Sequence, residues 1–443
     1  MSKNIIIIGG GISGLSTLHY LKTKYSQRSD VQIQLLEKEK TLGGTASTLY
    51  QGNCIFETGP NGFLNYEDNT FQFLKDIHLD GQLVQADPAA RKRALCLGNK
   101  LFPISFDPSG FFSFSPMTLA DKLRFLGEMF VPRKSDPEET IYEFGLRRFG
   151  KRCTELFLDA MVTGIYAGDA KKLNLKLSFP KLFQSEKKYG SILGAMARLK
   201  EKPILCSLKS GMSQLSLTLG TRYKNSIVLN QDVMVIKKQN DRWLVYAGER
   251  PWEADEIFLC VPAFAASGMI REHNRNFAGL LDKIFYAPVA VAGLVFKKDA
   301  FKTLPEGFGY LVPSQEGKKV LGVLFESNIF SSRTDHDHFL VRVMMGGSRH
   351  LETKYSSEAD LLKLAKEEIR LTLGATQEPV QAFLKVWPQA IPQYDKTYAS
   401  AYPSLQKEME KEQGLFVVAN YWNGISINDC ISNARFAAER SHL

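Results

Sequence analysis

Residues 4–15 of the chain read Asn-Ile-Ile-Ile-Ile-Gly-Gly-Gly-Ile-Ser-Gly-Leu, and this segment is the most informative in the sequence. Four consecutive isoleucines predict a strand buried on both faces, as at the centre of a parallel sheet. The glycines have the spacing G-x-G-x-x-G: Gly9 permits a tight turn, Gly11 allows a pyrophosphate to approach, and Gly14 allows helix and strand to pack closely. The first N–H groups of the following helix then point at the phosphates. The spacing predicts a dinucleotide site.

An acidic residue after the second predicted strand strengthens this prediction. The run at 31–36 (Val-Gln-Ile-Gln-Leu-Leu) ends at Glu37, about twenty residues after Gly14, where a carboxylate accepts hydrogen bonds from an adenosine ribose. The alternative is an ordinary strand–turn–helix unit with a solvated glutamate. The combination of strand, glycine spacing, helix and acidic residue favours dinucleotide binding.

The residues that follow indicate FAD rather than NAD. Gly43 and Gly44 lie just beyond the acidic strand, where flavoproteins of the large amine-oxidase-like superfamily carry a similar glycine pair. The element Gly59-Pro60-Asn61 resembles one found in a branch of that superfamily. The chain has no second G-x-G-x-x-G motif, so we expect non-covalent FAD and electrons that come from the substrate rather than from NADPH.

Length and composition indicate a large folded protein. The 443 residues predict two or three domains, with 44% hydrophobic and 23% charged residues, and no apolar run is long enough to span a membrane. The first strand begins too early for a signal peptide, so a cytoplasmic location is expected. The net charge of +9 favours an anionic lipid or a carboxylate-bearing substrate over nucleic acid, because the basic residues are dispersed. Six scattered cysteines give no metal or disulfide pattern.

The hydrophobic periodicity predicts an α/β (α+β) fold assembled from discontinuous segments. A Rossmann-like FAD-binding domain is expected from residues 1–65, 205–265 and 405–443. A mixed-sheet substrate domain is expected from 66–104 and 266–404, and a helical insert from 105–204. Strand-rich inserts of this kind cover the face of the isoalloxazine ring, with the substrate between them.

Longer motifs resemble the protoporphyrinogen/coproporphyrinogen oxidase family of FAD enzymes along nearly the whole chain. The motifs that carry the resemblance, besides those above, are residues 208–212 (Leu-Lys-Ser-Gly-Met), 307–314 (Gly-Phe-Gly-Tyr-Leu-Val-Pro-Ser), 387–394 (Trp-Pro-Gln-Ala-Ile-Pro-Gln-Tyr) and 420–430. One departure is Ala419, where family members often have glycine. The fold is shared with amine oxidases and carotene desaturases, but the second and third of these motifs are more specific than the glycine fingerprint.

The resemblance implies oxidation of protoporphyrinogen IX to protoporphyrin IX in haem biosynthesis. Six electrons would leave in three hydride transfers to the flavin, with dioxygen as acceptor and without a catalytic acid–base residue. Coproporphyrinogen III is an alternative substrate, and an amine oxidase or a desaturase an alternative enzyme. A non-enzymatic FAD-fold binder is a further alternative, although the intact glycine spacing argues against it.

Five residues are candidates for substrate binding. Arg93 matches the family's propionate-binding arginine by its spacing to Pro103 in a predicted hairpin with its turn at Gly98-Asn99; the alternative is a solvated basic edge. Leu311 and Leu324 match positions that clamp the tetrapyrrole. The remaining two candidates are Met344, in place of a stacking aromatic residue or as plain core, and Gly164 in the helical insert.

The candidate FAD contacts extend along the whole chain. The pyrophosphate and ribose contacts are expected at Gly9, Gly11, Ile12, Ser13, Gly14, Glu37 and Lys38, and the contacts nearer the flavin at Gly43, Gly44, Thr45, Gly59, Pro60 and Asn61. Val233 is expected to contact adenine through its backbone, as the first residue of a strand. Trp387 is expected beside the isoalloxazine ring, with a buried core aromatic as the alternative. Ile425, Ser426 and Ile427 are expected to bring a second helix N-terminus to the flavin.

Partners follow partly from residues and partly from the resemblance. Phe102, Phe106, Phe111, Phe112 and Phe114, with the amphipathic run 119–130 and its Lys122 and Arg124, are candidates for peripheral contact with the inner face of the cell membrane; the alternative is helical core or a dimer contact. The resemblance also suggests transfer of product to a ferrochelatase and a homodimer. The run 335–338 (Asp-His-Asp-His) resembles metal ligands, but its polar context favours a solvated loop, and no metal is expected.

Overall fold

A computed structural model describes residues 2–105, 108–198, 203–248 and 250–443. The predicted isoleucine strand, Lys3–Ile8, lies at the centre of a five-stranded parallel sheet. The strands of this sheet, in spatial order, are Ile227–Val228, Val31–Leu36, Lys3–Ile8, Glu256–Leu259 and Leu415–Val417. Three distant segments therefore build one sheet, as the sequence predicts.

Both faces of this sheet are buried. Isoleucines 5–8 are each at most 2% exposed, because Ile5 and Ile7 pack among helices, whereas Ile6 and Ile8 share a core cluster with two strands of a small antiparallel sheet, Arg242–Tyr246 and Trp252–Ala254, and with two further helices. The helices of the first cluster are Ile12–Lys24, Asp68–Asp76, Ser213–Arg222 and Ile427–Glu439, and those of the second are Ala263–Ile270 and Arg275–Leu281.

Residues 252–259 form two strands that belong to different sheets. Trp252–Ala254 joins an antiparallel three-stranded sheet with Val235–Gln239 and Arg242–Tyr246, whereas Glu256–Leu259 joins the parallel sheet. Asp255 separates the two strands. Its carboxylate accepts the Asn4 N–H at 2.8 Å and pairs with the Lys3 ammonium at 3.2 Å, and its own N–H donates to the Asn4 carbonyl at 2.8 Å, so Asp255 fixes the change of sheet to the first strand.

A seven-stranded mixed sheet forms the second layer of the molecule. Its strands, in spatial order, are Gln381–Pro392, Tyr286–Lys297, His338–Gly346, Val320–Leu324, Gly309–Leu311, Arg93–Leu97 and Lys100–Ile104. The last two form the predicted hairpin. The back face packs under the helix Glu358–Leu373. We call the opposite side, which bears Leu311 and Met344, the front face.

Residues 105–198 form the predicted helical region where the structure describes them. Its helices are Pro108–Ser113, Leu119–Leu126, Ile141–Phe149, Lys151–Cys153, the π-helical turn Thr154–Leu158, Asp159–Tyr166, Leu175–Ser178, Pro180–Tyr189 and Ile192–Met196. Fully buried Arg148 links these helices, because its guanidinium pairs with Glu186 at 2.5 Å and with Glu128 at 3.0 Å. This network holds the helices in one orientation.

Shorter elements connect these layers. Two small sheets are formed by Thr48–Gln51 with Cys54–Glu57, and by Phe63–Leu64, Leu205–Leu208 and Leu83–Gln85. The remaining helices are Glu326–Ile329 and Lys396–Lys411, with 3-10 turns at Asp80–Gln82, Pro88–Arg91, Gly127–Phe130, Lys224–Ser226, Lys298–Ala300, Ser314–Glu316, Ser331–Arg333 and Leu351–Tyr355. Among the described residues, no helix combines the length and apolarity that a membrane span requires.

Candidate active site

The glycine loop between the first strand and the first helix has the geometry of a phosphate cradle. Gly9 adopts φ +104°, and a Cβ on Gly14 would lie 1.9 Å from the Gly9 carbonyl oxygen, so both positions require glycine. A Cβ on Gly11, in contrast, would meet no described atom within 4 Å. The helix Ile12–Lys24 has no side-chain cap at Gly11. Its first N–H groups, at Ile12 and Ser13, therefore remain available to an anion in open space.

Glu37 holds this loop from the neighbouring strand end. Its carboxylate accepts hydrogen bonds from the Gly10 N–H and, at 2.8 Å, from the Glu39 N–H. The side chain is only 8% exposed. Because each carboxylate oxygen can accept a second hydrogen bond, the residue can order the loop and still bind a ribose hydroxyl. Lys38, beside it, points into solvent and pairs with Glu39 at 3.7 Å.

The second glycine pair lies directly beside the first loop. The Gly43 N–H donates to the Gly10 carbonyl at 2.9 Å, and a Cβ on Gly44 would lie 3.4 Å from Gly11 Cα. Thr45 continues this contact, because its carbonyl oxygen would lie 1.8 Å from a Cβ on Gly59. The glycine-rich segments predicted to bind the cofactor are therefore in contact with one another.

Val233 lies near Glu37, but it does not begin a strand as predicted. The strand starts at Val235, and the Val233 side chain is 4% exposed, within the core. The Gln231 N–H donates to the Glu37 carbonyl at 2.8 Å, which fixes the segment beside the predicted ribose position. The short pairing with the strand Arg242–Tyr246 begins only after the chain has left this contact.

The predicted second helix N-terminus is present, at Ile427, but its cap is acidic. Ser426 and Asp429 form a capping box, in which the Asp429 carboxylate accepts the Ser426 N–H at 2.9 Å and the Ser426 hydroxyl at 2.6 Å. Burial raises the pKa of Asp429. The Asp429 carboxylate partly neutralises the positive end of this helix dipole, which was expected to stabilise the flavin beside Ile425. The Ser-x-x-Asp spacing was the sequence signal for this cap.

The segment 58–61, which carries Gly59, Pro60 and Asn61, crosses the front face of the seven-stranded sheet. The Trp387 indole N–H donates to the Thr58 carbonyl at 2.8 Å, and the Arg342 guanidinium donates to the Gly59 carbonyl. The Asn61 side-chain amide donates to Glu326 at 3.0 Å. Sequence reasoning missed Arg342 and Glu326. A single arginine inside the apolar strand His338–Gly346 was the signal that could have found the first of them.

Register places the predicted substrate residues in two neighbouring cross-strand rows on the front face. Directly paired residues share a face of a sheet, so each row is a line of adjacent side chains. The first row is Arg93, Gly309, Leu324, Arg342, Gly293 and Phe383, and the second is Leu95, Leu311, Gly322, Met344, Val291 and Lys385. The distance from the Arg93 strand to the Met344 strand is three inter-strand spacings, roughly 14 Å.

The fifth substrate candidate, Gly164, faces this sheet from the helical region. A Cβ on Gly164 would lie 2.8 Å from Leu311 Cδ2, so the helix Asp159–Tyr166 lies directly against the second row. The Arg349 guanidinium donates to the Thr163 hydroxyl at 2.7 Å and fixes this helix to the end of the sheet. The structure therefore brings all five substrate candidates to one region.

Arg93 provides a cation at the margin of this region. Its guanidinium carbon lies 4.7 Å from the centre of the Phe308 ring, and burial lowers its pKa. Within the described part of the chain, Arg93 has no carboxylate partner, whereas neighbouring Lys92 pairs with Glu306 at 3.2 Å. An arginine keeps its charge in proteins even when its pKa falls, so Arg93 can receive an external carboxylate.

The candidate membrane surface differs from its prediction. Lys122 is buried and donates to the Phe112 carbonyl at 2.6 Å, so it does not face outward as expected, whereas Arg124 is exposed and donates to the Arg148 carbonyl at 2.9 Å. Phe114 is also buried, at 6% exposed. The exposed apolar side chains are Phe112 48%, Leu119 64%, Leu123 57%, Leu126 40%, Met129 60% and Phe130 87%. Phe106 lies outside the described residues.

The run 335–338 has no counterpart elsewhere that would complete a metal site. His338 accepts or donates a 2.7 Å hydrogen bond with Asp335, and the exposed His336 pairs with Asp337 at 3.1 Å. Across the residues that the structure covers, no group of three or more potential metal ligands is present. These side chains bind one another within a polar segment.

Comparison with known proteins defines the class of this chain. The chain belongs to the family of flavin containing amine oxidoreductases, whose profile matches residues 12–441. This match confirms the predicted superfamily and, together with the dinucleotide cradle, the expected FAD cofactor. The open space at Gly11 and the uncapped helix fit a pyrophosphate.

Individual relatives of the chain are protoporphyrinogen oxidases. Protoporphyrinogen oxidase from Homo sapiens is 29% identical over 474 residues, covering 99% of this chain and 98% of the relative. Protoporphyrinogen oxidase 1, chloroplastic, from Arabidopsis thaliana is 27% identical over 469 residues, covering 98% of this chain and 87% of the relative. The predicted similarity to protoporphyrinogen oxidases is therefore confirmed.

Solved structures share the fold over nearly the full length. A protein from Exiguobacterium sp., assigned provisionally to the protoporphyrinogen oxidases, has a TM-score of 0.85 at 21% identity. The match covers 99% of this chain and 98% of the Exiguobacterium protein. Cyclohexylamine oxidase from Brevibacterium oxydans has a TM-score of 0.72 at 13% identity, with coverage of 99% and 98%. At these identities the likeness establishes the fold alone, and this confirms the predicted α/β class.

Proposed function

We propose that this protein is an FAD-dependent protoporphyrinogen oxidase, which converts protoporphyrinogen IX to protoporphyrin IX in haem biosynthesis. The observation that carries the proposal is the pair of side-chain rows on the front face, which are apolar at Leu311, Leu324 and Met344 and end at the cation Arg93. A broad apolar disc with carboxylates at one edge matches a surface of this width and polarity. The curated relatives of this name, which align over nearly the whole chain, support the same reaction.

The chain's own residues would bind and orient the two reactants. In this proposal the N–H groups of Ile12, Ser13 and Gly14 receive the pyrophosphate, and Glu37 receives the ribose. Thr45, Gly59 and Trp387 form the surface against the ring system. When bound, FAD supplies the redox chemistry, accepting two electrons in each of three rounds.

The protein's contribution to the reaction is orientation and exclusion of water. We call the space in front of the two rows the substrate slot. Leu311, which lies against Gly164, and Leu324 would fix the macrocycle in this slot. Arg93 would bind the carboxylate edge of the macrocycle through two parallel hydrogen bonds. No acid–base residue is required, since the redox step belongs to the cofactor. Met344 would pack against the macrocycle through its flexible thioether in place of an aromatic ring.

A steady-state comparison tests the proposed substrate. Purified, FAD-loaded protein is mixed in air with protoporphyrinogen, coproporphyrinogen and a primary amine in separate assays, and porphyrin fluorescence and oxygen uptake are recorded. The proposal expects the highest kcat/KM with protoporphyrinogen and oxygen uptake in proportion to porphyrin formed. A higher kcat/KM with coproporphyrinogen, or oxygen uptake with the amine and with neither porphyrinogen, would contradict the proposed substrate.

We also propose that the protein associates peripherally with the inner face of the cell membrane through the apolar surface formed by residues 119–130. Phe130 and Leu119 are 87% and 64% exposed, and a helix that presents such side chains on one face binds at a bilayer interface. The native protein should sediment with anionic vesicles, whereas a Leu123→Ser/Phe130→Ser variant should stay in the supernatant. Equal activity of the two proteins in detergent is the control for folding. Transfer of product to a ferrochelatase and homodimer formation stay predictions of the resemblance.

A further inference from the structure

We propose that Arg342 is a positioning residue for the flavin: it holds segment 58–61 against the sheet and so sets the surface on which the ring system rests. The inference depends on the FAD site proposed above and does not depend on which porphyrinogen is oxidised. Of the two sheet side chains that hold this segment, Trp387 was predicted from the sequence as a neighbour of the ring system and Arg342 was not predicted.

Arg342 occupies an unusual place in an apolar strand. It lies in the first cross-strand row, between Leu324 and Gly293, and is 4% exposed. The FAD-domain strand Cys54–Glu57 covers the sheet beside it: a Cβ on Gly293 would lie 2.5 Å from Phe56 Cε2. Arg342 is therefore covered by the chain itself, whereas Met344 in the next row is only partly buried.

Two strands of the sheet hold two consecutive carbonyl groups of the segment. The Arg342 guanidinium donates to the Gly59 carbonyl, and the Trp387 indole N–H donates to the Thr58 carbonyl at 2.8 Å. The two donors lie on the strands on either side of Tyr286–Lys297. Two fixed points of this kind restrict both the height and the rotation of the segment, which one hydrogen bond could not do.

An acidic partner keeps the guanidinium in place. Glu326, 2% exposed, lies 3.7 Å from the Arg342 guanidinium and also accepts the Asn61 amide at 3.0 Å. The adjacent buried pair Glu57 and Arg333, at 3.2 Å, balances its own charge. The cluster is thus neutral as a whole, and we assign Arg342 an effect on position rather than on the electrostatic potential of the flavin.

Several buried polar atoms of the cluster point to a further partner. Arg342 Nε, Glu326 Oε1 and Asn61 Oδ1 have no hydrogen-bond partner among the described residues. Unpaired buried polar atoms are rare in folded proteins and are usually satisfied by water or a ligand. Their position under segment 58–61 suggests that this space holds ordered water or a polar edge of the cofactor.

The primary test compares Arg342→Met, Trp387→Phe and the double variant as holoenzymes. Arg342→Met removes one clamp, so amide hydrogen exchange in segment 58–61 should accelerate, and kcat should fall by about tenfold to hundredfold with KM little changed, because misplacement acts on the reacting geometry. Because both residues hold one segment, the double variant should lose less than the product of the single losses. Arg342→Lys should recover part of kcat.

Two further variants separate position from stability. Arg342→Met leaves Glu326 buried without its cation, so Arg342→Met/Glu326→Gln repeats the test without that charge. Arg148→Met removes an equally buried guanidinium in the helical region and should leave exchange in 58–61 and the visible flavin spectrum unchanged.

The outcomes are distinguishable from those that test the proposed function. Unchanged exchange in segment 58–61, or strictly multiplicative losses in the double variant, would overturn the inference whatever the substrate. If the native holoenzyme does not oxidise protoporphyrinogen, the proposed function fails, but exchange and the flavin spectrum still decide the role of Arg342.

Discussion

Gly164 and Leu311 contact each other across the boundary between the helical region and the seven-stranded sheet. A Cβ added to Gly164 would lie 2.8 Å from Leu311 Cδ2, closer than real Cβ contacts, and 3.2 Å from Cδ1. The absence of a side chain at Gly164 thus defines where Leu311 stands. The leucine in turn forms part of the surface proposed to hold the macrocycle.

Gly164→Ala should therefore narrow the substrate slot. The added methyl group displaces Leu311 toward the slot, so KM for the porphyrinogen should rise several-fold while FAD stays bound. Steady-state kinetics with fluorescence detection measure the change. Leu311→Ala should also raise KM, but Gly164→Ala/Leu311→Ala should raise it by less than the product of the two single rises, because the added methyl group meets no leucine in the double variant. Strictly multiplicative rises would exclude this contact from the site.

Replacement of Arg93 should weaken binding of the substrate and not of FAD. A charge-assisted hydrogen bond contributes about 1.5–3 kcal/mol, which corresponds to a rise in KM of about tenfold to hundredfold for Arg93→Ala. Arg93→Lys should lie between, because lysine keeps the charge and loses the paired donors. Lys92→Ala, which removes only the solvent-exposed pair with Glu306, is the matched control. Equal kinetics for Arg93→Ala and Lys92→Ala would remove Arg93 from the site.

Gly11→Val should give a folded protein that does not retain FAD. Its side chain would enter space in which a Cβ meets no described atom within 4 Å, so the fold tolerates it, but the pyrophosphate needs that space. Gel filtration followed by the visible spectrum measures retention. Gly268→Ala, also in open space, is the control and should stay yellow. A yellow and active Gly11→Val protein would refute the cradle.

Protonation of His19 should destabilise the fold as the pH falls. Burial, with Arg222 nearby, lowers the pKa of His19 from 6.5 to about 4, and its Nδ1 lies 2.9 Å from the Tyr223 hydroxyl. Below pH 6.5 the unfolded chain therefore binds a proton at His19, whereas the folded chain binds it only near pH 4. The free energy of unfolding should accordingly fall by about 2 kcal/mol between pH 7 and pH 5.

His19→Gln should remove this dependence. Urea unfolding at pH 7 and pH 5 gives the free energy of unfolding for both proteins, and the difference between the two pH values should be smaller in the variant by about the same amount. The pH profile of His336→Gln, at an exposed histidine, should match that of the native protein. Identical profiles for His19→Gln and the native protein would show that His19 titrates normally.

Local sequence patterns predicted those parts of the site that are built within one segment. The glycine loop and the Arg93 hairpin each follow from the spacing of glycines or turn residues over about twenty residues. The Asp429 cap was legible in the same way and was missed. The position of Val233 was not predicted correctly, because the strand begins two residues later, at Val235, where pairing with Tyr246 starts.

The parts that could not be predicted depend on contacts between distant segments. Arg342 and Gly59 are separated by 283 residues and Asn61 and Glu326 by 265, so no local pattern links them. Lys122 was expected to face outward because its helix is amphipathic, yet its ammonium donates to the Phe112 carbonyl. Tertiary partners of polar side chains, rather than helical or strand periodicity, decide these positions.

The proposed reaction is tested most directly by single turnover without oxygen. The yellow holoenzyme is mixed anaerobically with excess protoporphyrinogen while the visible flavin absorbance is followed. The flavin band should disappear rapidly, and admission of air should restore it with formation of fluorescent porphyrin. The proposed reaction is refuted if the flavin band persists with protoporphyrinogen but disappears with an amine or another porphyrinogen.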